Sequence, residues 1–390
     1  MFHSRSLTKT IKRSIATPFN YNYRYHAPDY AVLIVIALLV VLGVIFLSSA
    51  GSAAAFNKFG DAYYFIKNQI LKGILPGIIF FCLAASFDYK KLKKYAPWLL
   101  IFSVALLVAV FVPGLGAGWG KASSWLKIGP FNFQPAEFVK LFFLIYLAAW
   151  LENKKQSGDL KKIKTGLVPF VISLGILSAL IMAQPDFGTL LVLVAIAMGV
   201  YFVAEAPYKH FASLIGLGVV LLLIAGIISP YRLARLTSFV NPNNDVQGSG
   251  FQINQAKIAI GSGGIMGLGI GRSQQKNQYL PEPYGDSIFA IIAEEIGFII
   301  VSLLIGLYLL LGLKAFSISN RAPDGFGKLL AAGIAIWLSF QAIINIAAMI
   351  GLFPLTGIPL PFISYGGSAM AVSLLAVGLL FNISKQTKNV

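Results

Sequence analysis

A chain of 390 residues in which 57% are hydrophobic and 12% charged, with a mean hydropathy of +0.78, is not built to face water on all sides; a soluble domain carries about 25% charged residues. The net charge of +17 is read as membrane topology and lipid-headgroup contact rather than as a nucleic-acid surface, because the cations sit in short segments between apolar runs. The single cysteine, Cys82, lies within an apolar run, where it reads as a small buried side chain, and it excludes an intrachain disulfide or a cysteine metal cluster.

In chain order, residues 1–29 carry Arg5, Lys9, Lys12, Arg13 and Arg24 but no apolar core followed by a cleavage site, and read as a basic cytoplasmic tail. Ten apolar runs follow, each near the 20 or so residues needed to cross a bilayer. They cover 30–50, 66–87, 97–113, 135–152, 166–183, 187–204, 211–229, 285–312, 328–350 and 364–383. The expected fold is all-α: a polytopic membrane domain of about ten transmembrane helices over 30–383, with a short tail at 384–390. An even number of spans puts both termini on one side. The tails and the connections on that side hold twenty of the thirty-one Lys and Arg, which by the positive-inside rule places them in the cytoplasm.

Between the seventh and eighth spans runs a polar, Gly-rich segment of about 230–284, far longer than an ordinary connection of a few residues, and expected on the external side. Its apolar centre, IAIGSGGIMGLGIG, predicts a re-entrant or surface-lying element that packs back onto the bundle. No repeat of 20–50 residues is visible, so nothing in the sequence favours a transporter built from inverted repeats.

Ionisable side chains near membrane depth are costly, which makes the few that occur at external helix ends candidates for function. In QPAEFVKL, Glu137 and Lys140 are three residues apart and share a helix face. They can form an internal ion pair, present Lys140 to an anion, or do both. In QPDFGT, Asp186 is placed to cap the following helix. In YLPEPYGDSIFAIIAEEIGF, Asp286 stands where the long loop enters the eighth span, either as a helix cap or as a catalytic group. Glu294 and Glu295 lie about 12 Å deeper at 1.5 Å per residue and read as internal structural partners. PLTGIPLPFISYGGSA holds too many Pro and Gly for a regular helix and predicts a structured loop. Its hydroxyls at Thr356, Ser364 and Ser368 are candidates for holding a sugar or phosphate. Arg232, Arg235, Arg272 and Lys276 in the long loop either make an electropositive vestibule or reach headgroups.

Taken in this order, these motifs resemble the SEDS family of bacterial wall proteins (shape, elongation, division and sporulation), whose best-known members are FtsW and RodA. The likeness runs from Tyr30 to Phe381. The unbroken GIGRSQQKNQYLPEP looks more like the FtsW branch than the RodA branch. The resemblance implies a peptidoglycan glycosyltransferase that polymerises lipid II at the outer face of the cytoplasmic membrane, at the division septum. Its implied partners are a class B penicillin-binding protein that crosslinks the glycan, and other division proteins. Asp286 matches the family's essential aspartate, and Glu137 with Lys140 its helix-four pair. Tyr284, Gly285 and Ser287 depart from a usual His-Thr before the aspartate and Phe after it, and Ser124 replaces an arginine before a tryptophan.

The implied reaction needs a base near the attacking sugar hydroxyl and cations near the departing diphosphate. Asp286 is expected to be the base, partly buried because a carboxylate with a pKa near 4 is weak toward an alcohol. Lys140, Arg272 and Arg232 are expected to face the diphosphate, with Glu137, Lys276 and Ser364 completing the substrate site. A divalent cation, Mg or Mn, shared between Asp286 and the diphosphate is compatible with this scheme, although no ligand cluster demands one. Two other classes explain the same spans: a lipid II flippase, which needs a polar path across the membrane, and a non-catalytic division scaffold, which would tolerate loss of Asp286.

Overall fold

The computed structural model describes residues 28–119, 122–129, 131–228, 249–277 and 279–387; residues 1–27 of the basic tail and Arg232 and Arg235 lie outside them. Helix α1 is Tyr30–Ala50, a 21-residue apolar run started by Asp29, whose carboxylate accepts from the Ala31 amide at 3.1 Å. A short α2, Ser52–Phe59, leads into α3, Tyr64–Ser86. The middle of α3, Ile70–Ile74, widens into a π turn just before Pro76, whose ring cannot continue the normal ladder. Then come α4 (Tyr89–Ala109), α5 (Pro135–Gln156), α6 (Ile163–Ala183), α7 (Phe187–Val203) and α8 (Tyr208–Ile228). Beyond residues 229–248, α9 (Ser249–Gly263) precedes α10 (Ile288–Arg321), α11 (Gly325–Met349) and α12 (Gly367–Ser384).

Seven of these helices are long and apolar enough to cross a membrane by length and composition: α1, α3, α4, α6, α10, α11 and α12. The 22-residue α5, the 17-residue α7 and the 21-residue α8 occupy the other three expected spans. In α5 the charges of Glu137, Lys140 and Glu152 lie within the helix, and all three are buried by the bundle.

The bundle has a buried middle and a lipid-facing rim. About three-quarters of α11 and α12 is buried, against well under half of α1, α3, α4, α6 and α10. Helix α11 packs on α10, α7 and α5, and α12 packs along α3. Glycine sets that last contact: a Cβ at Gly73 would lie 3.2 Å from the Gly367 Cα, and one at Gly378 2.7 Å from the Phe81 carbonyl. Small residues let membrane helices approach this closely. Cys82 on α3 is exposed, not buried as its apolar surroundings imply; an apolar position on a rim helix meets lipid rather than core.

Two further features depart from the expected layout. A three-stranded antiparallel sheet, β1 (Gly116–Trp119), β2 (Ala122–Ile128) and β3 (Phe131–Phe133), joins α4 to α5. Ser124, the departure from the family pattern, is a buried side chain of β2. The eighth span begins at Ile288 and runs to Arg321, about nine residues past its expected end. Nothing breaks the helix between its expected end and Pro323, and Asp324 then caps α11 through the Gly327 amide at 2.6 Å.

Within α10 the chain breaks once, at Gly297, with φ 73° and ψ 178°. The glycine-rich stretch after α9 lies along this break and forms a local ladder. Leu268 and Gly269 amides donate to the Glu294 and Glu295 carbonyls at 3.0 and 2.9 Å, while the Phe298 and Ile299 amides donate to the Gly264 and Ile265 carbonyls. Backbone groups freed by the break are thus satisfied by the loop, as an apolar environment requires.

Candidate functional site

Asp286 sits in the turn that delivers the chain to α10. It does not cap that helix. The cap position belongs to Ser287, which makes no capping bond, and the Asp286 carboxylate takes side-chain donors instead. Gln252 of α9 reaches both carboxylate oxygens through Nε2 at 3.3 and 3.5 Å, and the same nitrogen donates to Ser287 Oγ at 2.9 Å. The Ser287 hydroxyl is 3.4 Å from Asp286 Oδ1. Burial, reinforced by the nearby Glu282 carboxylate, pushes the Asp286 pKa up to about 6, against the smaller opposing effect of these hydrogen bonds.

The residues that depart from the family pattern have structural partners here. Tyr284 stacks on Phe65 at a centroid distance of 3.9 Å and meets Tyr365 edge-on at 6.0 Å. Its carbonyl accepts from the Tyr365 amide at 2.9 Å. A Cβ at Gly285 would lie 3.2 Å from the Glu282 carboxylate, so glycine leaves room for the second acid beside Asp286. Phe59, Tyr64, Phe65, Tyr284 and Tyr365 form one aromatic wall next to this turn.

The remaining expected site residues are distributed differently. Glu137 and Lys140 form their pair at 2.9 Å, but Lys140 is only 1% exposed. Its Nζ also donates to Gln341 Oε1 at 3.1 Å and lies 4.9 Å from the Trp337 ring centre. Direct contact with a diphosphate is therefore not what this placement provides; the charge is consumed inside the bundle.

Lys276 is likewise spent internally. It pairs with Glu295 at 2.9 Å and donates to Ser49 Oγ and the Gly271 carbonyl. Glu294 accepts from Ser273 Oγ and the Gln274 amide, so both deep glutamates anchor the loop to α10. Ser364 is buried and closes its own loop by accepting from the Leu360 amide at 2.8 Å, while its carbonyl takes Gln69 Nε2. Asp186 caps α7 through the Thr189 amide and also holds Gln134 Nε2. Arg272 is exposed at the loop surface.

Residues that sequence reasoning passed over complete the site. Gln252 holds the carboxylate, and Gln341 and Asn345 of α11 hold the loop between α11 and α12. Neutral amides inside apolar runs carry no charge signal; only their partners, most of them drawn from 13 to 201 positions away, identify them. Among the described residues no group of three His, Cys, Asp or Glu comes together as a metal site.

These features define a class: a polytopic helical membrane protein with one raised-pKa carboxylate at the mouth of a broken helix. The sequence profile of the FtsW/RodA/SpoVE cell cycle proteins matches residues 29–389, and the chain belongs to that family. It is 41% identical to stage V sporulation protein E of Bacillus subtilis (strain 168) over 369 residues, covering 93% of this chain and 98% of that protein. It is 38% identical to a probable peptidoglycan glycosyltransferase FtsW of Geobacter sp. (strain M18), covering 94% and 99%. Its fold matches a chain of a peptidoglycan synthase complex that coordinates polymerization and crosslinking, with a TM-score of 0.76 at 28% identity over 93% of this chain and 99% of that one. It also matches the rod shape determining protein RodA of Thermus thermophilus, with a TM-score of 0.68 at 26% identity over 93% and 99%.

Proposed function

We propose that this protein is a peptidoglycan glycosyltransferase that polymerises lipid II at the outer face of the cytoplasmic membrane, with Asp286 as general base. The observation that carries the reading is the Asp286 carboxylate itself. It is relieved of capping duty, held by Gln252, and raised to about 6 by burial and Glu282. A base with that pKa is ionised at neutral pH yet stronger than a free carboxylate. The relatives named as FtsW support the activity, and the likeness to a chain of a synthase complex supports a crosslinking penicillin-binding protein as partner.

In this scheme Asp286 takes the proton of the acceptor sugar's 4-hydroxyl as its oxygen attacks the donor anomeric carbon, which inverts as the lipid diphosphate leaves. Among the described residues, Arg272 is an exposed loop cation available to the leaving group. Asp286 and Glu282 supply two carboxylates at one place, so a divalent cation bound there would draw its other ligands from the diphosphate and water.

The test uses full-length protein in detergent with lipid II, with and without the crosslinking partner, where no second compartment exists. Glycan chains from wild type and none from Asp286→Asn are expected. Equal glycan from the two proteins removes Asp286 from the chemistry, and no glycan under any condition favours a transporter or a scaffold.

A further inference from the structure

The buried Glu137–Lys140 pair and the Asp286 turn come from different parts of the chain, yet a run of hydrogen bonds joins them through α11. Lys140 Nζ donates to Gln341 Oε1 at 3.1 Å, and Trp337 Nε1 donates to the same oxygen at 2.8 Å. Two donors on that oxygen fix which way the Gln341 amide points. Its nitrogen then donates to the Pro359 carbonyl at 2.9 Å. One turn further along α11, on the same face, Asn345 Nδ2 donates at 2.8 Å both to the Ile358 carbonyl, next to Pro359, and to the main-chain carbonyl of Asp286.

We propose that Gln341 and Asn345 are positioning residues, which carry the orientation set by the Glu137–Lys140 pair to the main chain of Asp286 by gripping the Ile358 and Pro359 carbonyls between them. The inference rests on the reading of Asp286 as the reacting base. Prolines at 354, 359 and 361 keep this loop from forming a helix of its own, so its register against α11 depends on outside donors. The two amides provide them.

Asn345 also shows what it is retained for. It is 1% exposed, and both amide protons are used on carbonyls, while Oδ1 is buried with no partner. An unsatisfied buried acceptor is costly. A residue present only to fill space would be apolar, so the two protons are the reason for the amide. Lys140 on this account is not a substrate cation but the group that orients the first amide.

A double-mutant cycle on full-length protein, assayed for glycan formation from lipid II, tests this. Asn345→Leu and Lys140→Met, the latter always combined with Glu137→Gln so that no unpaired charge is left in the bundle, are each expected to lower kcat by about ten- to a hundredfold with KM within about twofold, since a small misplacement of a reacting group costs that much. Because both act on one chain of contacts, the double variant is expected to be no more than about threefold worse than the worse single variant. Asn345→Ser, which keeps a donor and opens space rather than crowding the loop, is expected to fold and to fall between wild type and Asn345→Leu. Losses that multiply, or a Lys140→Met variant with raised KM and unchanged kcat, overturn the proposal. Wild type and Asp286→Asn run alongside: if they do not differ, the base assignment has failed; if they differ while the cycle multiplies, only the relay has failed.

Discussion

A carboxylate whose pKa stands near 6 in the folded protein and near 4 in the unfolded chain makes stability and catalysis oppose one another at one atom. Between those values the folded state holds more protons than the unfolded state, so the contribution of Asp286 to stability falls as pH rises toward 6, and above that the ionised group is a standing cost. Asp286→Asn removes the cost. Its thermal midpoint is expected to exceed that of wild type at pH 7.5 and to match it only below about pH 4, while glycan synthesis drops by at least a hundredfold; a lower midpoint at pH 7.5 would show that the carboxylate is stabilising instead. The wild-type rate is expected to fall about tenfold per unit below pH 6. Because Glu282 is the second cause of the raised value, Glu282→Gln is expected to move that acid limb to lower pH, and an unmoved limb would show that the two carboxylates do not interact. The flanking prolines and the place before an apolar run mark Asp286 in the sequence as a helix cap or a reacting group, and only the family resemblance favours the second. Its holder Gln252 was not legible there, because it comes from a helix 34 residues earlier and bears no charge.

Among the elements, the break in α10 is the device that brings the long loop back onto the bundle. Gly297 adopts φ 73°, and a Cβ there would run into the Gly267 amide nitrogen. Gly297→Ala therefore meets both a backbone conformation that L-residues avoid and a steric collision. It is expected to lower the thermal midpoint in detergent by several degrees and reduce activity in step, whereas Gly261→Ala, in α9 with open space at its Cβ, should be tolerated. The loop's second anchor is the Lys276–Glu295 pair, 7% and 1% exposed. Removing one partner of a buried pair costs about 3–5 kcal/mol, much of it from the charge left behind. Lys276→Met should thus be strongly destabilised, and adding Glu295→Gln should recover both thermal midpoint and activity. A diphosphate-binding Lys276 predicts instead that activity stays lost in the double variant. The apolar run at 258–271 announced an element returning to the bundle, but not its partner. That depends on one glycine inside a helix that reads as continuous, since period and hydropathy do not register a single reversed φ.

At the scale of the whole molecule, each of the ten hydrophobic runs is met by a helix among the described residues, seven of them long and apolar enough to cross a membrane, because in lipid the helix is the one open-chain way to satisfy a backbone. Hydropathy left unread what lies between the runs. The three-stranded sheet after α4 is built from short segments without a clean alternation, and the extension of α10 to Arg321 ends at Pro323 rather than where apolarity fades. The fold does separate the two faces. Asp286, α2, the sheet and the aromatic wall lie at one end of the bundle. Lys90, Lys91, Lys93 and Lys94 in the first turns of α4, Lys154 and Lys155 in the last turn of α5, and Lys161 between α5 and α6 lie at the other. The positive-inside rule assigns the second end to the cytoplasm, and a lipid II polymerase needs the first end outside. Both requirements meet in one labelling experiment on a Cys82→Ser background, using the exposed positions Asn57 on α2 and Ser157 after α5. Asn57→Cys should react with a membrane-impermeant maleimide in intact cells with the outer envelope opened, and Ser157→Cys only after the cytoplasmic membrane is permeabilised. The reverse pattern would put Asp286 on the side where no polymer is assembled, and the proposed activity could not stand whatever the geometry of its carboxylate.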